Sequence, residues 1–289
     1  MSTARTASRW NDADDWGIAT LDLDAYLKRI DHPPVAAPTA AALSSLHEAH
    51  VRAIPFDNVD VVLGRRIRLG LDAISDKILR RQRGGYCYEH ALLFAAVLQR
   101  LGYPVARRLA RVRPDTPGAR THMMLIVEAE GTEYLADVGF GAGVLRPMPL
   151  RDGVESEQAG WPHRLEHGDL GWTLSRRNDD GWTALHRYDD TPQWPVDFEV
   201  ANQYVSTHPR SPFTGRLVIF RLDPGIARRL LGAELTVEYA DGRVDRTPIT
   251  PDRLGITLSE LGLNLADDEI SALEKALGNG AARIATPLS

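Results

Sequence analysis

Residues 80–104, "RRQRGGYCYEHALLFAAVLQRLGYP", hold the only cysteine of the 289-residue chain, Cys87, set directly after Gly84-Gly85 and before a long apolar run. Glycine loses the most backbone entropy on ordering, so the pair reads as a turn and not as a helix interior. From Cys87 onward the residues are good helix formers, and the run stops at Gly102 with Pro104 two positions later, a common helix ending. Leu92, Leu93, Phe94, Val97, Leu98 and Leu101 cover nearly the whole circumference, which predicts a buried helix. Cys87 then falls in its first turn, where unpaired backbone N–H groups and the helix dipole favour negative charge on sulfur. A free cysteine is also a small apolar residue that packs well in cores. Use as a nucleophile requires a base within reach.

Upstream of this stretch the chain reads as helical. "DLDAYLKRI" has a cap-like start at Asp22 or Asp24, "TAAALSSLHEAHVRAI" carries helical periodicity after Pro38-Thr39, and "ISDKILRRQ" predicts a third helix. From about Val105 the pattern changes to short runs separated by Gly, Pro and Asp: "THMMLIVEAE", "TEYLADVGF", "GWTLSRRN" and "GWTALHRYD". These predict an antiparallel sheet or barrel. After the Pro-rich "DDTPQWPVDFE" and "STHPRSPFTG", the strands "RLVIFRL" and "AELTVEYADGRV" and a helix near "DDEISALEKAL" form a third, mixed segment. There is no internal repeat.

Composition bounds the function. With 43% hydrophobic and 25% charged residues the chain reads as an ordinary soluble globular protein. A formal net charge of −5 and the lack of a basic tract argue against nucleic acid, and the locally basic "RVRPDTPGAR" reads as a loop. "MSTARTASRWNDADDW" has no apolar core, and no run approaches about 18 apolar residues, so neither a signal peptide nor a membrane partner is expected. One cysteine makes no internal disulfide, which suits the cytoplasm.

The base is sought among nine histidines. His163, His167 and His186 lie in polar surroundings and are expected to be solvated. His47 and His50 stand at i, i+3, and "HEAH" is one residue short of a zinc-helix pattern, so no metal is expected. His90 shares the helix of Cys87, with its side chain expected at solvent or a neighbouring turn. His122 begins "HMMLIVEAE", which a turn at Gly131 joins to "TEYLADVGF" with Asp137. If two residues close that hairpin, either Glu130-Gly131 or Gly131-Thr132, facing residues differ in parity. His122 and Asp137 also differ in parity, so they share a face; a three-residue loop would separate them. On one face, an Asp can hold the imidazole in one tautomer while the other nitrogen meets a thiol. Spacing alone equally allows a strand-end His and a turn Asp.

"RGGYCYEH" with Cys87, "THMMLIV" with His122 and "LADVGFG" with Asp137, in this order, resemble the arylamine N-acetyltransferases. The resemblance extends through "YLKRI", "LHEAHVRAIPFDNVDV" and "ANQYVSTHPRSPF" over most of the chain. One departure is Ala91, where the family often has Asn. The resemblance implies an α+β, three-part fold: a helical domain over residues 1–104 carrying the nucleophile, an antiparallel β-barrel over 105–205 carrying His and Asp, and an α/β lid over 206–289. It implies a Cys87-His122-Asp137 triad like that of papain-like enzymes and transglutaminases, with acetyl-CoA as acyl-donor substrate. The acceptor would be an arylamine, arylhydroxylamine or hydrazine, as in xenobiotic metabolism. Backbone N–H groups of Cys87 and Met123 would meet the oxyanion, and Phe56, Phe140 and Phe213 would line the acceptor pocket. Thr121, Gly139 and Gly141 would face CoA. Arg83 is read as a structural ion pair in preference to a phosphate contact. Three other readings share the residues: an amide synthase closing a macrolactam from a carrier-bound acyl chain, a transglutaminase-like cysteine hydrolase, and a binding protein without activity.

Overall fold

The computed structural model describes residues 16–141 and 143–280, so the first fifteen residues of the N-terminal segment discussed above lie outside the described residues. Helix α1 (Leu23–Arg29) starts on Asp22, whose Oδ1 accepts the Ala25 N–H at 2.9 Å, and α2 (Ala40–Ala53) starts on Thr39, whose hydroxyl accepts the Ala42 N–H at 3.2 Å. Each cap satisfies a backbone donor that the helix itself leaves free. A two-residue strand, β1 (Phe56–Asp57), and a short helix, α3 (Val59–Val62), follow.

Where "ISDKILRRQ" predicted one regular helix, the chain makes α4 (Leu71–Ser75) and then a π-helical turn over Asp76–Arg80, closed by the Arg81 N–H on the Asp76 carbonyl at 3.0 Å. The wider turn carries Lys77 into the interior, with Nζ 2.8 Å from both Asp60 Oδ2 and Glu89 Oε1. An ion pair of this burial is a tertiary fact that helical periodicity does not register. Helix α5 (Cys87–Arg100) is buried from Cys87 through Leu98 and forms the centre of the largest core. Each fully buried Leu, Phe or Val in it contributes about 1.5–3 kcal/mol.

The predicted sheet has eight antiparallel strands, β2 (Val105–Val112), β3 (His122–Ala129), β4 (Thr132–Ala136), β5 (Met148–Pro149), β6 (Val154–Gln158), β7 (Trp161–Gly168), β8 (Gly171–Asn178) and β9 (Gly181–Tyr188), in the order β5-β4-β3-β2-β9-β8-β7-β6. Its two edge strands, β5 and β6, are neighbours in the chain. Gln158 Oε1 at the end of β6 accepts the N–H groups of Leu145 (3.0 Å) and Arg146 (2.8 Å) ahead of β5, which brings the edges together into a nearly closed barrel. Ala106, Ala110, Met124, Ile126, Leu135, Leu165 and Leu174 fill its inside, while Val105, Leu109, Met123, Leu125 and Val127 pack outward on the α5 core. Burial on both faces explains why β3 reads as an unbroken apolar run.

Beyond helix α6 (Pro195–Thr207), strands β10 (Val218–Asp223), β11 (Ile226–Leu231), β12 (Glu234–Tyr239) and β13 (Val244–Pro248) form a second antiparallel sheet, to which β1 adds at the β10 edge. Ile219 and Leu230 face helices α7 (Pro251–Glu260) and α8 (Asp267–Gly280), whereas Val218 and Phe220 face the α5 core. The fold is α+β. Among the described residues no helix is long and apolar enough to cross a membrane.

Candidate active site

The two glycines before Cys87 serve a purpose other than the turn freedom inferred from sequence: neither has a positive φ. A Cβ on Gly84 would collide with the Pro55 carbonyl and the Asp57 carboxylate, and one on Gly85 would lie 2.8 Å from Glu89 Oε2. This close approach lets the Asp57 N–H donate to the Gly85 carbonyl at 2.7 Å, with Phe56 bridged to Gly85. On the other side, Glu89 Oε2 accepts the Tyr86 N–H at 3.1 Å while Oε1 binds Lys77. The first turn of α5 is thereby pinned, with Cys87 buried at its start and Sγ 3.9 Å from the Thr121 carbonyl.

His90 also belongs to this support and does not reach solvent. Its Nε2 donates to the Gly85 carbonyl at 3.1 Å, its Nδ1 accepts from His50 Nε2 at 2.9 Å, and His50 Nδ1 accepts from the Tyr26 hydroxyl at 2.9 Å. Because Gly85 offers only an acceptor, the chain of donors runs one way. Burial lowers His90 to about 4 and takes His50 well below the ordinary imidazole value, so both rings are neutral.

His122 and Asp137 arrive from the hairpin. Ala129 pairs with Thr132, leaving Glu130-Gly131 as a two-residue turn with φ of 51° and 76°. This is the turn that matches strand twist, and it gives the parity that places both side chains on one face. His122 Nε2 lies 2.7 Å from Asp137 Oδ2, leaving Nδ1 as the ring nitrogen for Cys87. Burial alone would lower the His122 pKa, but the Asp137 charge and hydrogen bond, then Cys87, carry it up to about 10. Against its own burial penalty, Asp137 is held well below the usual carboxylate range by the His122 charge and by hydrogen bonds from His122 and His186. The ring beside Cys87 is therefore an imidazolium at neutral pH.

Two expected surface histidines are interior. His163 is 1% and His186 0% exposed, because both lie on the inward parity of their strands, a face that their polar neighbours in sequence conceal; His167 is exposed as expected. His186 Nε2 lies 3.1 Å from the same Asp137 Oδ2. These contacts have hydrogen-bond length, so imidazole N–H groups already occupy the carboxylate oxygen, although the donor atoms of His122, Asp137 and His186 lie within 4.8 Å of one another. His47, on α2, accepts the Asp137 N–H at Nε2 (3.0 Å) and contacts the Leu145 carbonyl through Nδ1 (2.9 Å). The "HEAH" pair thus braces both halves of the site, His47 on the Asp side and His50 on the Cys side.

Phe140 packs edge-on against His122 (4.9 Å between centroids) and His186 (5.2 Å). Phe56 meets Phe213 (5.8 Å) and Phe220 (5.4 Å), the last a residue that sequence did not single out although it alternates with buried Ile219. Gly139 lies against Cys87, where a Cβ would sit 2.9 Å from its Cα and carbonyl oxygen, and Gly141, with φ +85°, passes under the Phe220 ring. The Thr121 carbonyl accepts the Tyr88 hydroxyl at 2.9 Å, and Met123 is buried in β3 across from Leu109. Arg83 pairs with Glu269 at 2.8 Å, far from any phosphate role. An open cleft of about 520 Å³ lined by Arg111, Arg120, Arg187 and Trp172 carries equal acidic residues, Asp169, Asp189 and Asp190, and includes none of Cys87, His122 or Asp137.

The N-acetyltransferase family model matches residues 39–270. The arylamine N-acetyltransferase of Mycobacterium tuberculosis is 37% identical over 274 residues, covering 91% of this chain and 97% of that protein. Among solved structures, the arylamine N-acetyltransferase of Nocardia farcinica superimposes with a TM-score of 0.85 at 41% identity, covering 91% of this chain and 97% of its own. The Mycobacterium marinum arylamine N-acetyltransferase in complex with CoA gives 0.84 at 35% identity, covering 89% and 99%.

Proposed function

Because the chain belongs to the arylamine N-acetyltransferase family, an acyltransferase family, we propose that it moves an acetyl group from acetyl-CoA to the nitrogen of an arylamine, arylhydroxylamine or hydrazine, in the cytoplasm, through an acetyl-Cys87 intermediate. The observation that carries this reading is the Asp137–His122 pair, with the second imidazole nitrogen left for a cysteine at the start of a pinned, buried helix.

In the first half-reaction the Cys87 sulfur attacks the thioester carbonyl. Backbone N–H groups of Cys87 and Met123 meet the oxyanion, the carbon–sulfur bond to CoA breaks, and the CoA thiol leaves with the proton from His122. In the second, the amine nitrogen attacks the acetyl-cysteine carbonyl while His122, now neutral, takes its proton and Cys87 is released. Asp137 stays ionised and holds the ring in place throughout. Phe140 beside His122, with Phe56 and Phe213, suits a flat aromatic acceptor. Gly139 lets the backbone approach Cys87 closely and Gly141 lets it pass the Phe220 ring, and with Thr121 they would border the thioester end of CoA.

One nucleophile serving two substrates in turn gives parallel double-reciprocal lines when acetyl-CoA and a simple arylamine or arylhydrazine are varied, with acetyl donors faster than long acyl donors. Intersecting lines contradict the covalent intermediate. Acylation of Cys87 by a long-chain thioester but not by acetyl-CoA would replace this reading with the amide synthase.

A further inference from the structure

Asp137 Oδ2 receives two imidazoles, His122 at 2.7 Å and His186 at 3.1 Å. His186 stands on β9, inside the barrel and completely buried. Its Nε2 faces a carboxylate oxygen and must donate, whereas its Nδ1 is buried with no hydrogen-bond partner among the described residues. The bond to Asp137 is therefore the ring's one polar contact among the described residues. Burying an imidazole there costs free energy that an apolar residue of similar size would not incur.

We propose that His186 is a positioning residue of the transfer reaction: its Nε2–H fixes the Asp137 carboxylate against His122 and so keeps the His122 ring directed at Cys87. This rests on the reading of Cys87, His122 and Asp137 given above.

The other restraints on Asp137 are weaker or lie elsewhere. Among the described residues Oδ1 accepts only the Gly139 N–H, at 3.3 Å, and His47 holds the Asp137 backbone and not the carboxylate. Phe140 packs against both imidazoles, at 4.9 and 5.2 Å, so neither ring can turn without displacing it. Around His186 stand His122 from β3, Asp137 after β4, Tyr188 on its own strand and His163 from β7. Burial keeps His163 neutral at about 4 and lowers His186 as well, so the carboxylate charge is matched by His122 alone. A second imidazolium on the same oxygen would compete for that charge; a neutral donor orients the carboxylate without competing.

The test compares His186→Leu with His186→Gln, whose amide nitrogen can occupy the position of Nε2. Acetylation of Cys87 by acetyl-CoA and full turnover are measured across pH, with thermal midpoints alongside. In His186→Leu, kcat/KM is expected to fall about 10–100-fold. The basic limb of its acetylation profile, which reports loss of the His122 proton, is expected to move down by about one unit as the imidazolium loses its fixed partner. His186→Gln is expected to restore the limb and most of the rate. If His186→Leu does not fold, His186→Asn, whose amide is too short to reach Asp137, takes its place against His186→Gln. An unmoved limb in the donor-lacking variant, or Gln as impaired as Leu, overturns the proposal. Failure of the wild-type protein to acetylate at Cys87 would instead overturn the reading of the site itself.

Discussion

Asp137→Asn is expected to reduce kcat/KM about 10⁴-fold while leaving the fold intact, the scale on which replacing a triad carboxylate by its amide acts. The His122 imidazolium owes its persistence to the buried negative charge at 2.7 Å. The amide is neutral, and it can present an N–H to His122 Nε2, which favours the tautomer with the proton on Nδ1 and removes the ring's ability to receive one there. Both imidazoles meet the same oxygen, so an amide nitrogen placed there leaves the His186 N–H without its acceptor, while an amide oxygen there keeps both contacts but carries no charge to hold the imidazolium. Steady-state rates with acetyl-CoA and an arylamine, read beside a melting curve, decide it. A loss of less than about tenfold in a folded variant would contradict the role given to Asp137.

Lys77→Met is expected to destabilise the protein by about 3–5 kcal/mol, because it leaves buried carboxylates without their cation. Lys77 is buried, and although burial alone would lower its pKa, the charges of Glu89, Asp57 and Asp60 hold it above the ordinary lysine value. Burial raises Asp57 and Glu89, with Lys77 opposing that rise in both. Loss of the ammonium therefore drives proton uptake near the start of α5, where Glu89 also caps Tyr86. At about 2–4 °C per kcal/mol for a chain of this size, the midpoint should fall by roughly 10 °C. Adding Glu89→Gln to Lys77→Met should recover part of the loss by removing one orphaned charge, with denaturant midpoints as the readout. A midpoint unchanged within 2 °C, about 1 kcal/mol, would show that the pair is dispensable.

Local signals carried much of this structure in the sequence. The helix start at Asp22 or Asp24, the Cys87 helix and the turn at Gly131 depend on residues within one element or one hairpin, whereas the choice of Glu130-Gly131 over a three-residue loop, which puts His122 and Asp137 on one face, came only with the paired strands. What escaped depends on distant partners. His186 and His90 look polar and solvated until the barrel and α2 close over them. Strand β7 is hidden because His163 occupies an inward position between Trp161 and Leu165, and β11 because Arg228 and Arg229 interrupt its apolar residues. The π-helical turn at Lys77 is invisible without Asp60 and Glu89, which lie 17 and 12 residues away. Gly84 and Gly85 were legible as special, yet the cause, contact with Pro55, Asp57 and Glu89, required the packed molecule.

The proposed transfer passes the acetyl group through Cys87. Mixing the protein with acetyl-CoA and no amine, quenching in acid, and mapping peptides by mass is the direct measurement. The expected result is one added acetyl group on the peptide containing Cys87, lost on addition of an arylamine with release of the N-acetylated product, and absent in Cys87→Ala. Transfer of acetyl to the amine with no acetylated Cys87 peptide at any time, or acetylation that persists in Cys87→Ala, would contradict it.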